Sequence, residues 1–276
     1  MPLRILVALL VVAAIGAGAY YFLRSRFEPP PPPPLSPRPE TPRGTQPRFP
    51  IEAPQATLPK LGQSDPAMRG AFSGLFDAKA LEKFFNLEDA VRRIVATVDN
   101  LPRETVAVRL NPVKPIGGLL VTTGKDETLA IGPRNAARYE PFVRLAEGID
   151  TKKAVAVYVQ FYPLFQEAYV ELGYPGGYFN DRLVEVIDYL VETPEVEGPI
   201  KLVTPHVLHE FADPDLESLS AGRKLLVRMG NANAARLKAK LKEVRSALVA
   251  SASRPPAAQE SGAAPKADSS SSTKAR

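Results

Sequence analysis

TKKAVAVYVQFYPLFQEAYVELGYPGGYFNDRLVEVIDYLV, residues 151–191, decides the fold. In its first half Val155, Tyr158, Phe161, Tyr162, Phe165, Tyr169 and Leu172 recur at steps of three and four, the period of a helix that buries one broad face. Asp150 stands where an N-cap is needed, and Gly173 supplies the left-handed residue at which helices end. Pro163 removes one backbone donor inside the pattern, which predicts a kink near Val159 rather than a break because the periodicity resumes beyond it. Tyr174-Pro175-Gly176-Gly177 places Pro and Gly at the two central positions of a type II turn. Asn180 is positioned to cap the second helix and Phe179 to staple against Val184, with Leu183, Val184, Ile187, Leu190 and Val191 as its buried face up to Thr193-Pro194. Two helices joined in this way pack as an antiparallel hairpin, and the rest of the chain is expected to serve that pair.

Upstream, Asp77 can cap a short helix through Phe85, and Asn86 or Leu87 leads into a second with Ala90, Val91, Ile94, Val95 and Val98 apolar. The next thirty residues lose the helical period. There, residues 119–122 and 128–131 flank residues 123–127 as a small β-hairpin. A further helix is expected from about Asn135 to Glu147. Downstream, residues 199–214 read as irregular or briefly extended, Ser220 caps a helix through Met229, and Asn231 or Asn233 opens the last, with Ala234, Leu237, Leu241, Val244 and Leu248 on one face. The class is mainly α: a single helical domain with a small β-hairpin, plus an N-terminal transmembrane helix.

That transmembrane helix is residues 5–23, bounded by Ile5 and Leu23, an uncharged run of 19 residues between Arg4 and the pair Arg24 and Arg26. As a helix it is roughly 28 Å long, enough for a hydrocarbon core. Ala17-Gly18-Ala19 also fits the small-residue pattern of a signal-peptide cleavage site. Tyr20, Tyr21, Phe22 and Leu23 carry the apolar run past that site, where an interfacial aromatic belt belongs, and so favour an anchor. Residues 1–26 are thus the expected bilayer anchor, and 27–66 a Pro-rich linker. Between positions 29 and 66 stand 14 prolines, the first six consecutive. Such a chain is a semi-rigid polyproline spacer reaching on the order of 110 Å. Residues 67–250 form the helical domain, and 251–276 a Ser, Ala, Pro and Lys tail of disordered composition.

The whole chain carries net charge +5, but residues 67–250 hold 24 basic and 24 acidic side chains, so the surplus lies in the ends and the linker. Without a recognition motif, this distribution argues against nucleic acid as a partner. The chain has no cysteine, which excludes a disulfide framework, a thiolate metal site, a cysteine nucleophile and a lipid-modified N-terminal cysteine. Inside the neutral domain the charge is segregated. Asp181, Glu185, Asp188 and Glu192, at i, i+4, i+7 and i+11, make an acidic ridge on the second central helix; Lys238, Lys242 and Arg245 make a basic one on the last. These read as solvated helix faces, or as ridges that face each other or dock a partner through charge complementarity.

Candidate chemistry is sparse. His206 and His209, followed by Glu210, could supply metal ligands, but helical zinc sites space their histidines at i, i+4, and Pro205 and Pro214 oppose a long helix. No metal is assigned. Glu167 and Glu171, or either with Asp181, could act as an acid and base pair of the glycosidase kind. No Gly-rich phosphate loop, nucleotide fingerprint or nucleophile elbow is present, so no cofactor is assigned either. Tyr174, Tyr178, Phe179, Asn180 and Arg182, clustered at the central turn, form the candidate binding patch; the same residues also suit turn and cap positions packed on the core.

Several runs carry a resemblance: residues 162–169, 172–176 and 178–188, together with Val98-Asp99-Asn100-Leu101-Pro102-Arg103, Ala136-Ala137-Arg138-Tyr139, Glu210-Phe211-Ala212-Asp213-Pro214 and Leu219-Ser220-Ala221-Gly222. Over roughly residues 77–248 the sequence resembles an uncharacterised bacterial family, the domain of unknown function 3014. The resemblance implies an exported or membrane-anchored protein with a Pro-rich tether, and brings no activity, cofactor or catalytic residue. In the family's pattern the position of His209 is more often aromatic, which further weakens a metal site there. The expectation is a single-pass inner-membrane protein with its domain in the periplasm, serving a non-enzymatic interaction or scaffolding role with an unknown protein partner. The alternative is a hydrolase of a cell-envelope polymer acting through paired carboxylates. Alkaline phosphatase fused after residue 250 should be active in an expressing bacterium; an inactive fusion would reverse the orientation.

Overall fold

The computed structural model describes residues 46–53, 57–205 and 207–252. The expected membrane segment 5–23, the proline run after it, His206 and the tail from residue 253 lie outside the described residues. Among those described are nine α-helices: α1 Asp65–Ser73, α2 Ala78–Phe84, α3 Ala90–Asn100, α4 Glu140–Gly148, α5 Thr151–Glu171, α6 Phe179–Val191, α7 Pro214–Glu217, α8 Ala221–Arg228 and α9 Asn231–Ala252. None of them is long and apolar enough to cross a membrane.

The central pair α5 and α6 forms where its periodicity places it. Asp150 caps α5, accepting the Lys153 N–H at 3.1 Å. The helix runs through Pro163 to Glu171, and Gly173 then takes φ 107°, which an L side chain rarely tolerates. The turn closes with the Gly177 N–H on the Tyr174 carbonyl at 3.1 Å. Gly176 lacks the positive φ that a type II turn requires, so the expected turn type is corrected. The cap of α6 is also corrected. Tyr178 is the N-cap residue and makes no side-chain cap bond; the free Phe179 N–H is accepted instead by Gln166 Oε1 on α5 at 2.9 Å. Phe179 turns toward Phe165, rings stacked at 5.8 Å, rather than toward Val184.

Helix α6, more than the pair, is the hub. Phe179 enters a core with Met68 of α1, Val91 and Val95 of α3, and Phe165 and Tyr169 of α5. Val186 and Leu190 join Tyr139, Val143, Leu226 and Met229 beneath α4, α8 and α9. Val184 and Ile187 meet Val155 of α5 and Leu248 of α9. Its buried arc is therefore wider than the single face the periodicity predicts: Val186 is buried although it falls outside that face.

Three boundaries fall elsewhere than expected, one of them the start of α4, at Glu140 after a 3-10 turn over Ala136–Arg138 rather than at about Asn135. Helix α3 starts at Ala90 rather than near Asn86, after Asp89 in the left-handed region at φ 51°. The Asp65 carboxylate of α1 accepts the Asp89 and Ala90 amides at 2.8 and 3.1 Å, satisfying donors that a helix start leaves open. Ordered packing also reaches upstream of residue 67: Leu61 is buried, and Leu58 and Ala67 pack on the same core. Apolar residues interspersed among the prolines give that part of the chain something to bury, which proline content alone does not prevent.

The expected hairpin is present as β1 Thr122–Thr123 against β2 Ala130–Ile131. A second, β3 Leu202–Val203 against β4 Glu210–Phe211, occupies the stretch read as irregular or briefly extended. The two are tied edge to edge, the Leu202 N–H reaching the Leu129 carbonyl at 2.8 Å and the Ile131 N–H the Ile200 carbonyl at 2.9 Å. Two-residue strands show no alternation, so only the pairing reveals them. Fully buried Asn135 fastens this sheet to the helices: Oδ1 accepts the Val121 N–H at 3.1 Å and Nδ2 donates to the Arg228 carbonyl at 2.7 Å.

Where α8 begins, the Ala221 and Gly222 amides donate to the Arg103 and Leu101 carbonyls at 2.7 and 3.0 Å. A Cβ at Gly222 would lie 2.7 Å from Leu190 Cδ2 and 3.0 Å from the Leu101 carbonyl oxygen. Gly222→Ala should therefore lose about 1–3 kcal/mol. Gly70→Ala, in α1 with nothing within 4 Å of its Cβ, should be neutral or gain about 0.5–1 kcal/mol. Urea unfolding midpoints of the two variants measure the contrast.

Candidate functional site at the start of α6

The turn and first turn of α6 gather the polar groups the sequence singled out, but turn them inward. Tyr174, Phe179 and Asn180 are buried, and Tyr178 and Arg182 half-buried, so the candidate patch is part of the core and its rim. Tyr174 stacks on Tyr169 with centroids 4.5 Å apart, and its hydroxyl donates to Asp99 Oδ2 at 3.0 Å. Arg103 Nη2 reaches the same oxygen at 2.7 Å and the Tyr174 hydroxyl at 2.9 Å. Arg182 Nε meets Asp99 Oδ1 at 3.1 Å while its Nη2 donates to the Asp99 carbonyl at 3.1 Å. The Asp99 side chain is only 3% exposed, so its charge is desolvated and requires these partners. Asp99 and Arg103 were not among the sequence candidates. One signal could have found Asp99: it lies four residues after Val95 and eight after Val91, a carboxylate on the buried face of an apolar helix.

A second group lies beside it. Gln166, also missed, donates from Nε2 to the Gly177 carbonyl at 2.7 Å, while its Oε1 accepts the Phe179 N–H and, at 3.2 Å, the Tyr162 hydroxyl. Asn180 Oδ1 accepts the Tyr158 hydroxyl at 3.1 Å, and its Nδ2 donates to the Phe49 carbonyl at 2.8 Å. Burial pushes the Tyr158 phenol well above its ordinary range and the Tyr162 phenol up to about 12, so both are neutral donors at physiological pH. Asp181 completes the group: its two carboxylate oxygens accept the Arg48 and Phe49 amides, each at 2.9 Å. The Phe49 ring packs against Val155, Val184, Ile187 and Leu248.

The acidic ridge has a different partner for each member. Asp181 holds the backbone of residues 48 and 49, and Glu185 pairs with Arg182 at 3.0 Å. Asp188 pairs with Arg245, Nη2 to Oδ2 at 3.0 Å; Glu192 lies 3.5 Å from Arg223. Of the basic ridge, Arg245 thus meets α6, and Lys238 donates to the Thr193 carbonyl at 2.9 Å. Glu171 turns toward α3, where the Arg92 guanidinium at 2.8 Å holds its carboxyl below the usual range. Glu167 is exposed on α5. A cleft of about 580 Å³ involves Phe76, Leu81, Phe85 and Lys114, and a smaller one of about 260 Å³ includes Arg92 and Glu171; neither takes in Glu167 or Asp181. Among the described residues, no group of three or more His, Asp or Glu is arranged to hold a metal ion. His209 Nδ1 lies 2.8 Å from the Thr204 hydroxyl.

These features define a mainly helical domain whose polar side chains near α6 hold the chain itself in place. The chain belongs to the family described as protein of unknown function DUF3014, whose model matches residues 90–245, from the first residue of α3 to Arg245 of α9. No curated protein and no solved structure matches it. Asp99→Ala should cost about 3–5 kcal/mol, the loss expected when one partner of a buried charge pair is removed. Tyr174→Phe, which removes the hydroxyl that donates to Asp99 and accepts from Arg103, should cost about 1–2 kcal/mol. Thermal unfolding by circular dichroism checks both magnitudes and their order.

Proposed function

We propose that this is a membrane-anchored bacterial envelope protein whose helical domain performs a non-enzymatic interaction or scaffolding role. In this reading residues 5–23 hold it as a single pass in the inner membrane, the Pro-rich segment is its tether, and the domain stands in the periplasm. The observation that carries the reading is the capture of residues 48 and 49 at the start of α6: two amides on Asp181, a carbonyl on Asn180 and a ring on apolar side chains. Contacts made to backbone groups, with one pocket for a side chain, are how proteins recognise extended peptides. Two of the three carboxylates a hydrolase would use are occupied otherwise, Asp181 by those amides and Glu171 by Arg92.

Chemical crosslinking of native membranes, followed by mass spectrometry, tests this. The chain should stay with the membrane fraction through a high-salt wash, leave it when residues 5–23 are deleted, and give reproducible crosslinks from its helical domain to a protein partner. Release of fragments from a purified envelope polymer by the chain, abolished by Glu167→Gln or Glu171→Gln, would replace this reading with the hydrolase.

A further inference from the structure

Resting on that interaction reading, we propose that the groove bounded by α5, α6 and α9 is a peptide-binding site of the domain, selective for a bent aromatic-proline segment. Its own residues 47–50 fill it in cis and hold it closed. The occupant is Pro47-Arg48-Phe49-Pro50. Proline has no N–H, so this stretch carries only two backbone donors, those of Arg48 and Phe49. Both go to one carboxylate, Asp181, at 2.9 Å each. The Phe49 carbonyl is taken by Asn180, a side chain with no exposed surface that Tyr158 holds in orientation from the other side. The half-buried aromatic ring packs against the cluster of Val155, Val184, Ile187 and Leu248.

Each element of recognition has a chemical reason. Asp181 reads two successive amides, which the bend at Arg48 and Phe49 turns to one side and which a flat strand would point to opposite sides. Asn180 reads the following carbonyl, and the apolar pocket reads a ring. The Arg48 side chain is exposed and rests over the Phe49 ring at 5.5 Å, so this position tolerates variation. Proline on either side restricts the backbone in advance and lowers the entropy lost on docking. A segment joined to the core only a few residues on, at Leu58 and Leu61, competes at an effective concentration on the order of millimolar. A partner with the same chemistry must displace it, and the free site is exposed only when it leaves.

Direct binding to the purified full chain in detergent is independent of the crosslinks that test the domain's broader role. The probe is a fluorescein-labelled peptide spanning residues 46–53, read by anisotropy. It should bind the Phe49→Ala chain at least about 10-fold more tightly than the wild-type chain. That binding should vanish in Phe49→Ala/Asp181→Ala, and also with a probe whose phenylalanine is replaced by alanine. Arg48→Pro, which removes one donor to Asp181 and keeps the ring, opens the site by a second route if Phe49→Ala fails to fold by circular dichroism. Equal binding to the wild-type chain and the opened variants, or no binding to either folded variant at millimolar peptide, overturns the proposal. So does a covalent dimer, in place of an internal link, from a photoreactive benzoylphenylalanine at position 49, since a second copy would then be the occupant.

Discussion

The buried carboxylate of Asp99 is the constraint on which the arrangement around α6 depends. A desolvated charge is tolerated only with partners on nearly every lone pair, and its partners come from three places: Arg103 just beyond α3, Tyr174 in the turn after α5, and Arg182 in the first turn of α6. Meeting that requirement sets α3 against α5 and aims α6 at the same time. The loop after α3 then offers the Leu101 and Arg103 carbonyls to the start of α8, where glycine at 222 allows close approach. Three of the stretches by which the chain resembles its family, at residues 98–103, 172–188 and 219–222, meet here, although the first and last are more than one hundred residues apart in sequence.

The same turn serves two ends. On one side it closes over Asp99; on the other, Gln166, Asn180 and Asp181 arrange donors and acceptors for backbone groups rather than for one another. Gln166 substitutes for an N-cap that Tyr178 cannot provide, leaving Asn180 and Asp181 free to take hold of residues 48 and 49. A residue with cap chemistry one position inside the helix becomes a peptide clasp because another side chain has already satisfied the helix start.

Much of this was legible in advance. Asp150, Gly173, Asp77 and Ser220 are local signals with local partners, since each bonds or bends within a few residues of itself, and each acts as its position predicts. Periodicity likewise located α5, α6 and α9, because a helix must bury its apolar face somewhere. For the candidate patch of Tyr174, Tyr178, Phe179, Asn180 and Arg182 the sequence left two directions open, a binding surface or turn and cap residues packed on the core, and the structure turns Tyr174, Phe179 and Asn180 inward. Nothing local tells whether an aromatic beside a turn points into solvent or, as Phe179 does, onto another ring.

The amino-acid sequence by itself thus determined the class of the domain, the order and approximate limits of its long helices, the central reversal and the first hairpin, because each rests on interactions between near neighbours. Tertiary structure alone decided that α6 is buried on several sides, that Asp99 is a buried charge shared by three segments, that two short hairpins are bridged edge to edge, and that residues 48 and 49 return to Asp181 across more than one hundred and thirty positions. Those features arise from contacts between residues far apart in the chain. No period, cap or turn signal encodes them, and they exist only once the helices have packed.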